Sequence, residues 1–252
     1  MKTSVLVASC GVLLGCPNPS TYGTPRTLPA GQDQHTIAVE AIYVNSQPGG
    51  RGTAREDGGL PMSPSYHYRR GLTDTVDLGA RATNLSGLGA DVKWNFVRGS
   101  IDLAIDPGVQ WAYVPIGHGF SAFYLHAPVL VGLNVTRRIT LVLTPGAMFA
   151  VETGSPPPGH SVVRNGGALA RLGVGVNLRL GARLALMPEA TAMRALNDSG
   201  GIVVVAGLGI KLGAQPFMDG ESAATLAAPT AASPSTHGAP PQAPVEGTRG
   251  EP

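Results

Sequence analysis

From residue 35 to residue 213 apolar side chains alternate with polar or small ones at a period of two, the pattern of strands whose two faces meet different surroundings. In 171–180 the even positions are Leu172, Val174, Val176, Leu178 and Leu180, against Arg171, Gly173, Gly175, Asn177 and Arg179. In 202–212 Ile202, Val204, Ala206, Leu208, Ile210 and Leu212 oppose a set that includes Gly207, Gly209 and Lys211. Ile101, Leu103, Ile105, Val109, Trp111 and Tyr113 likewise oppose Asp102, Ala104, Asp106, Gly108 and Gln110. Such runs predict ten strands, at 35–45, 63–70, 75–84, 87–97, 100–113, 121–135, 138–151, 165–180, 183–194 and 201–213.

Most of these have the 9–11 residues of a tilted membrane-spanning strand, or slightly more. Short turns at 71–74, 98–99, 136–137 and 181–182 alternate with longer loops at 46–62, 114–120, 152–164 and 196–200. The brief Leu85-Ser86 link is the exception. An even strand count with short turns on one rim and longer loops on the other is the plan of a transmembrane β-barrel, here with both termini on the periplasmic side. An exported soluble sandwich alternates too. Its wet face would carry Lys, Glu and Thr, whereas here that face is rich in Gly and Ala, which suit a crowded barrel interior. Pro107, Pro128, Pro145 and Pro188 fall inside the runs. Apolar parity continues across Pro107 and Pro145, so these strands are expected to stay whole and to bulge there.

The ends read differently. Residues 1–16, MKTSVLVASCGVLLGC, have a positive start and an apolar run too short to span a bilayer as a helix, which reads as an export signal. Its end, Leu13-Leu14-Gly15-Cys16, resembles the lipobox of bacterial lipoproteins. The resemblance implies cleavage before Cys16 and a lipid anchor on that residue, with palmitate-type acylation. An ordinary signal cut near Ala30 is the alternative. Residues 16–32 are Pro-, Thr- and Gly-rich and read as a tether. Residues 216–252 are dense in Ala, Pro, Ser and Thr and read as a disordered tail. The expected organisation is a signal at 1–15, a tether at 16–32, a barrel at 33–215 and a tail at 216–252.

Arg69-Arg70-Gly71-Leu72-Thr73-Asp74-Thr75-Val76-Asp77-Leu78-Gly79 resembles the strand–turn–strand signature common in Gram-negative outer-membrane β-barrel proteins. That resemblance implies an all-β, single closed antiparallel barrel in the outer membrane. The family's usual terminal aromatic is missing, because the last strand runs on into the tail, and only Phe217 is placed to substitute. Trp94, Phe96, Trp111, Tyr113, Phe123 and Phe149 are the candidates for interfacial girdles.

Composition narrows the function classes. Of 252 residues only 13% are charged and 5% aromatic, with 35 Gly and 22 Pro, and the net charge of +2 gives no polyanion footprint. Nucleic acid is therefore not an expected partner. Outer-membrane lipid is one, and small solutes or envelope proteins are admitted. The inward face collects Glu40, Asp77, Asp91, Asp102, Asp106 and Glu189 against Arg69, Arg81, Lys93, Arg171, Arg179 and Lys211. In a narrow lumen these are expected to pair across the axis and close it. A selective pore would show one sign in excess.

An enzymatic site is not expected. Of the histidines, His35, His67, His118, His126, His160 and His237, none sits in a nucleophile signature. No phosphate loop, dinucleotide fingerprint or metal spacing is present, so no cofactor or metal is expected. A structural or interaction role at the envelope follows. A porin-like channel is the alternative, and a lipid-active enzyme built on His118 or His126 the third reading.

Overall fold

The computed structural model describes residues 18–45, 57–83, 87–114, 120–153, 167–196 and 202–216. Cys16, His118, His160, Phe217 and the expected signal and tail lie outside them. The described chain is built from strands β1 (Asp33–Asn45), β2 (Asp57–Gly71), β3 (Val76–Thr83), β4 (Gly87–Val97), β5 (Ile101–Ile105), β6 (Gly108–Val114), β7 (Phe120–Thr136), β8 (Ile139–Thr153), β9 (Gly167–Arg179), β10 (Leu184–Ala195) and β11 (Ile202–Gly213). Neighbours in sequence pair antiparallel, and β1 pairs with both β2 and β11, with Ile37 opposite Ile210. β5 and β6 both lie between β4 and β7, so they are two halves of one stave. The result is a closed antiparallel barrel of ten staves, which leaves no sheet edge unpaired.

The prolines behave differently from expectation. The stave 101–114 is interrupted at Asp106-Pro107, yet its register with β4 and β7 is the same on both sides, and Pro145 pairs opposite Leu172 with no shift. Proline removes a donor but keeps an acceptor. The Pro107 carbonyl accepts from the Val92 N–H (2.9 Å), and Asp106 N–H donates to the Pro128 carbonyl (3.0 Å). The register shifts instead at Asn95/Val97, Asn134/Thr136 and Glu40/Ile42, where Pro61-Met62 of β2 lies opposite Ala41. β2 also begins at Asp57, six residues before the predicted start, because Asp57–Leu60 continues the β1 ladder despite Gly58 and Gly59.

The alternation decides which face meets what. The exposed set is apolar: Ile37, Val39, Leu78, Val92, Leu125, Leu141, Leu143, Leu172, Val174, Leu208 and Ile210 all face outward. The buried set is polar or charged along most of the wall. A soluble sandwich would bury the apolar set, so this inversion belongs to a barrel whose solvent is hydrocarbon. Trp94 and Phe96 pack against each other near the short-turn rim, with ring centroids 5.7 Å apart. Trp111, opposite Phe123, and Phe149, opposite Leu125, lie on the other half of the wall.

The interior has two zones. Toward the long-loop rim it is an apolar cluster that includes Ile42, Tyr124, Met148, Leu169, Met193 and Val205. Toward the short-turn rim it is charged and holds residues 18–28 of the chain itself.

Candidate functional site

Compositional reading makes residues 16–32 a tether outside the barrel. The structure corrects this for the part it describes: residues 18–28 are buried and bonded to the inward wall. The chain turns in at the short-turn rim. There Gly31 N–H donates to the Gly71 carbonyl (2.8 Å), and Gly71 N–H donates to the Gln32 carbonyl (3.0 Å). Gly71 has to be glycine because a Cβ would run into the Leu28 and Pro29 carbonyls, and Gly31 takes a positive φ of 77°.

The contacts then run inward along the segment. Leu28 N–H donates to Asp77 Oδ1 (2.9 Å), and Arg26 Nε pairs with Asp102 Oδ2 at 2.6 Å. Lys93 Nζ donates to the carbonyls of Thr24 (3.0 Å) and Arg26 (2.8 Å). The consecutive N–H groups of Thr21 and Tyr22 both donate to Glu189, at 2.8 and 2.7 Å. Arg81 donates to the Ser20 carbonyl (3.2 Å). Asn18 donates to Glu40 (2.6 Å), and its carbonyl accepts from Gln110 (3.0 Å). Tyr22 holds a left-handed backbone, φ 44°, which turns its N–H beside that of Thr21 toward one carboxylate. Its ring lies on Gly207 and Gly209 of β11, where any Cβ would overlap it, and edge-on to His67 at 5.6 Å. Burial, with Glu40 and Glu189 alongside, holds the Tyr22 phenol well above its usual range, so it is neutral. Pro25 sits on Gly132 in the same manner.

The twelve inward charges can now be placed. Glu40, Asp77, Asp91, Asp102, Asp106, Glu189, Arg81, Lys93, Arg171, Arg179 and Lys211 are buried, and Arg69 is largely so. Pairing runs along the wall rather than across the axis. Arg69 bonds Asp91 and, at 3.2 Å, Asp106; Arg81 pairs with Asp91 at 2.8 Å; Lys93 pairs with Asp77 at 2.8 Å. Arg69 reaches Asp91 over Gly79, which lies between them in register and where a Cβ would strike the Asp91 carboxylate. Glu40, Glu189 and Asp102 are taken up by the N-terminal segment. Among the described residues Arg171 donates to Thr144 (3.3 Å) and Lys211 to Asn177 (3.1 Å). The axis that cross-lumen pairs were expected to close is occupied instead by the chain. Arg26, absent from the sequence-based inventory, adds a seventh base. Its signal in the sequence was slight, a single charge in a Pro- and Thr-rich stretch.

Among the described residues the histidines assemble no nucleophile. Both His126 ring nitrogens are buried without a hydrogen-bond partner, and His35 bonds the Tyr66 hydroxyl on the outer face (2.6 Å). His67 meets Ser65 at 3.3 Å on its own strand, beneath the Tyr22 ring. No group of described His, Cys, Asp or Glu has metal-holding geometry.

No known protein family matches the chain, and no curated protein does. Similar solved structures include outer-membrane barrels. The outer membrane protease OmpT from Escherichia coli is 10% identical, with a TM-score of 0.48, covering 74% of this chain and 98% of that one. An outer membrane channel from Pseudomonas putida F1 is 11% identical, at 0.46 and covering 79% and 100%. Ail, the attachment invasion locus protein of Yersinia pestis, is 14% identical, at 0.34 and covering 73% and 99%. Likenesses of this order carry nothing about activity.

Proposed function

We propose that this chain is a closed outer-membrane β-barrel with a structural or interaction role, its lumen filled in one half by its own N-terminal segment and wall ion pairs. It is not an enzyme in this reading. In this reading the short-turn rim faces the periplasm and the long loops face outward. The observation that carries this is the seat of residues 18–28, held by Glu40, Asp77, Asp102 and Glu189 from four different strands. Above the segment the inward side chains include the apolar cluster of Ile42, Tyr124, Met148, Leu169, Met193 and Val205, which disfavours a wet path. An export signal with a lipid on Cys16 supports delivery to the envelope. Two residues span at most ~7 Å, so Cys16 reaches a leaflet only if residues 18–28 leave the lumen. The seated segment and the lipid-anchored terminus are therefore alternative states.

The test is planar-bilayer conductance of the refolded barrel, once a heat-dependent gel shift shows that it is folded. A silent, inserted barrel is expected. Discrete salt-dependent steps would overturn the closed lumen and make the chain a porin-like conduit for small solutes.

A further inference from the structure

Each short turn of the barrel sets an arginine beside an exposed aliphatic side chain. Arg70 precedes Leu72 by two residues, Arg98 follows Val97, Arg137 and Arg138 follow Val135, and Arg183 lies between Leu180 and Leu184. These arginines and these aliphatics are all exposed. Arg70 pairs with Asp33 at 3.2 Å, and Arg98 bonds the uncharged side chains of Asn95 and Thr27. Among the described residues Arg137, Arg138 and Arg183 form no ion pair with a carboxylate. The acids at the surface of this rim are Asp33 and Asp74, so positive charge is in excess. The turns join β2 to β3, β4 to β5, β7 to β8 and β9 to β10, so the arginines ring the wall rather than gather on one side.

We propose that this collar binds the phosphate headgroups of anionic phospholipid in the leaflet at the short-turn rim. The outward aliphatics mark where the hydrocarbon ends, and a guanidinium one to three residues along the turn reaches the headgroup level. Trp94, 54% exposed near the same rim, is an indole at that boundary. Guanidinium forks match phosphate oxygens in shape as well as charge. A zwitterionic headgroup brings its own cation, which the collar repels, so the preference is for net negative lipid. A ring of separated cations, each with an aliphatic beside it, fits a leaflet, whereas an acidic protein would need them on one face. The inference rests on the membrane-spanning reading, in which this rim faces the periplasm, and adds the class of lipid that it holds.

The test uses the full chain refolded into phosphatidylcholine vesicles with a minor fraction of phosphatidylglycerol, one or the other lipid carrying brominated acyl chains. Bromine quenches an indole that it touches. The chain has two tryptophans, so W111F reports from Trp94 and W94F from Trp111 on the other half of the wall. At low salt brominated phosphatidylglycerol should quench Trp94 about fivefold more per mole than brominated phosphatidylcholine. That ratio should fall to about one in R137Q/R138Q/R183Q, and fall likewise in high salt. Arg194, exposed on the opposite rim, is the control, and R194Q should leave the ratio unchanged. Equal quenching of Trp94 by the two lipids, a preference that survives the triple variant, or an equal preference at Trp111 would overturn the collar alone. Quenching of neither indole by either lipid, or loss of the heat-dependent gel shift in the parent chain, would overturn the membrane-spanning barrel and the collar with it.

Discussion

Glu189→Gln is the most direct probe of whether the N-terminal segment is held by the wall. The parent carboxylate accepts the N–H groups of Thr21 at 2.8 Å and Tyr22 at 2.7 Å, and the Thr191 hydroxyl at 3.0 Å. Hydrogen bonds to a charged group contribute ~1.5–3 kcal/mol each. The amide keeps one acceptor oxygen, removes the charge, and turns an NH₂ group toward a backbone donor. Tyr22 stays in a left-handed backbone that costs roughly 1–2 kcal/mol and is no longer offset by two charged contacts. A loss of about 3 kcal/mol in seating is expected, or about two powers of ten in the released fraction. The barrel wall, held by its own ladders, should be unaffected.

The assay is trypsin cleavage after Arg26 in the refolded protein, followed by mass spectrometry, with the heat-dependent gel shift as the folding check. A seated Arg26 is buried against Asp102, and trypsin is too large to enter the mouth. When opening and closing are fast, cleavage follows the open population. Glu189→Gln should therefore be cut on the order of a hundredfold faster than the parent. A cut rate within about threefold of the parent, with the barrel intact, would refute the reasoning that these two bonds hold the segment.

Asp102→Asn leaves the Arg26 guanidinium buried without its anion, which costs ~3–5 kcal/mol in comparable sites. It should release the segment in the trypsin assay, and the R26Q/D102N double variant should lie closer to the parent than Asp102→Asn alone. Gly207→Val and Gly209→Val fill the floor under the Tyr22 ring. Each should raise cleavage after Arg26 while the gel shift persists, and unchanged protection in both would contradict the ring's seat. Leu143→Arg puts a charge on the lipid-facing wall, where Leu143 is 41% exposed. It should lower folding stability in lipid vesicles by ~2–4 kcal/mol, read from urea titration.

Much of this fold was legible because alternation is a local property. The charges Asp91, Asp102, Arg171 and Lys211 sit at odd or even steps that match their neighbours' glycines, and a period of two assigns them all to one face whatever the partner strands are. Ten staves, their turns and the inward set of charges follow from that rule. What the sequence by itself determined was the set of strands and which residues share a side.

The tertiary structure decided what fills the inside. Residues 18–28 have no periodicity, and Asn18, Thr21, Tyr22 and Arg26 bond to strand residues 22 to 168 positions away. Backbone N–H and C=O groups carry many of the segment's contacts, and every residue has these, so composition gives no sign of them. The same is true of the prolines: whether Pro107 or Pro145 bends a strand depends on which neighbouring group needed the missing N–H, and closure of the barrel settles that. Glu189 could be placed inward from its strand alone, but the Thr21 and Tyr22 N–H groups that it binds lie on a segment that only the closed wall brings within reach.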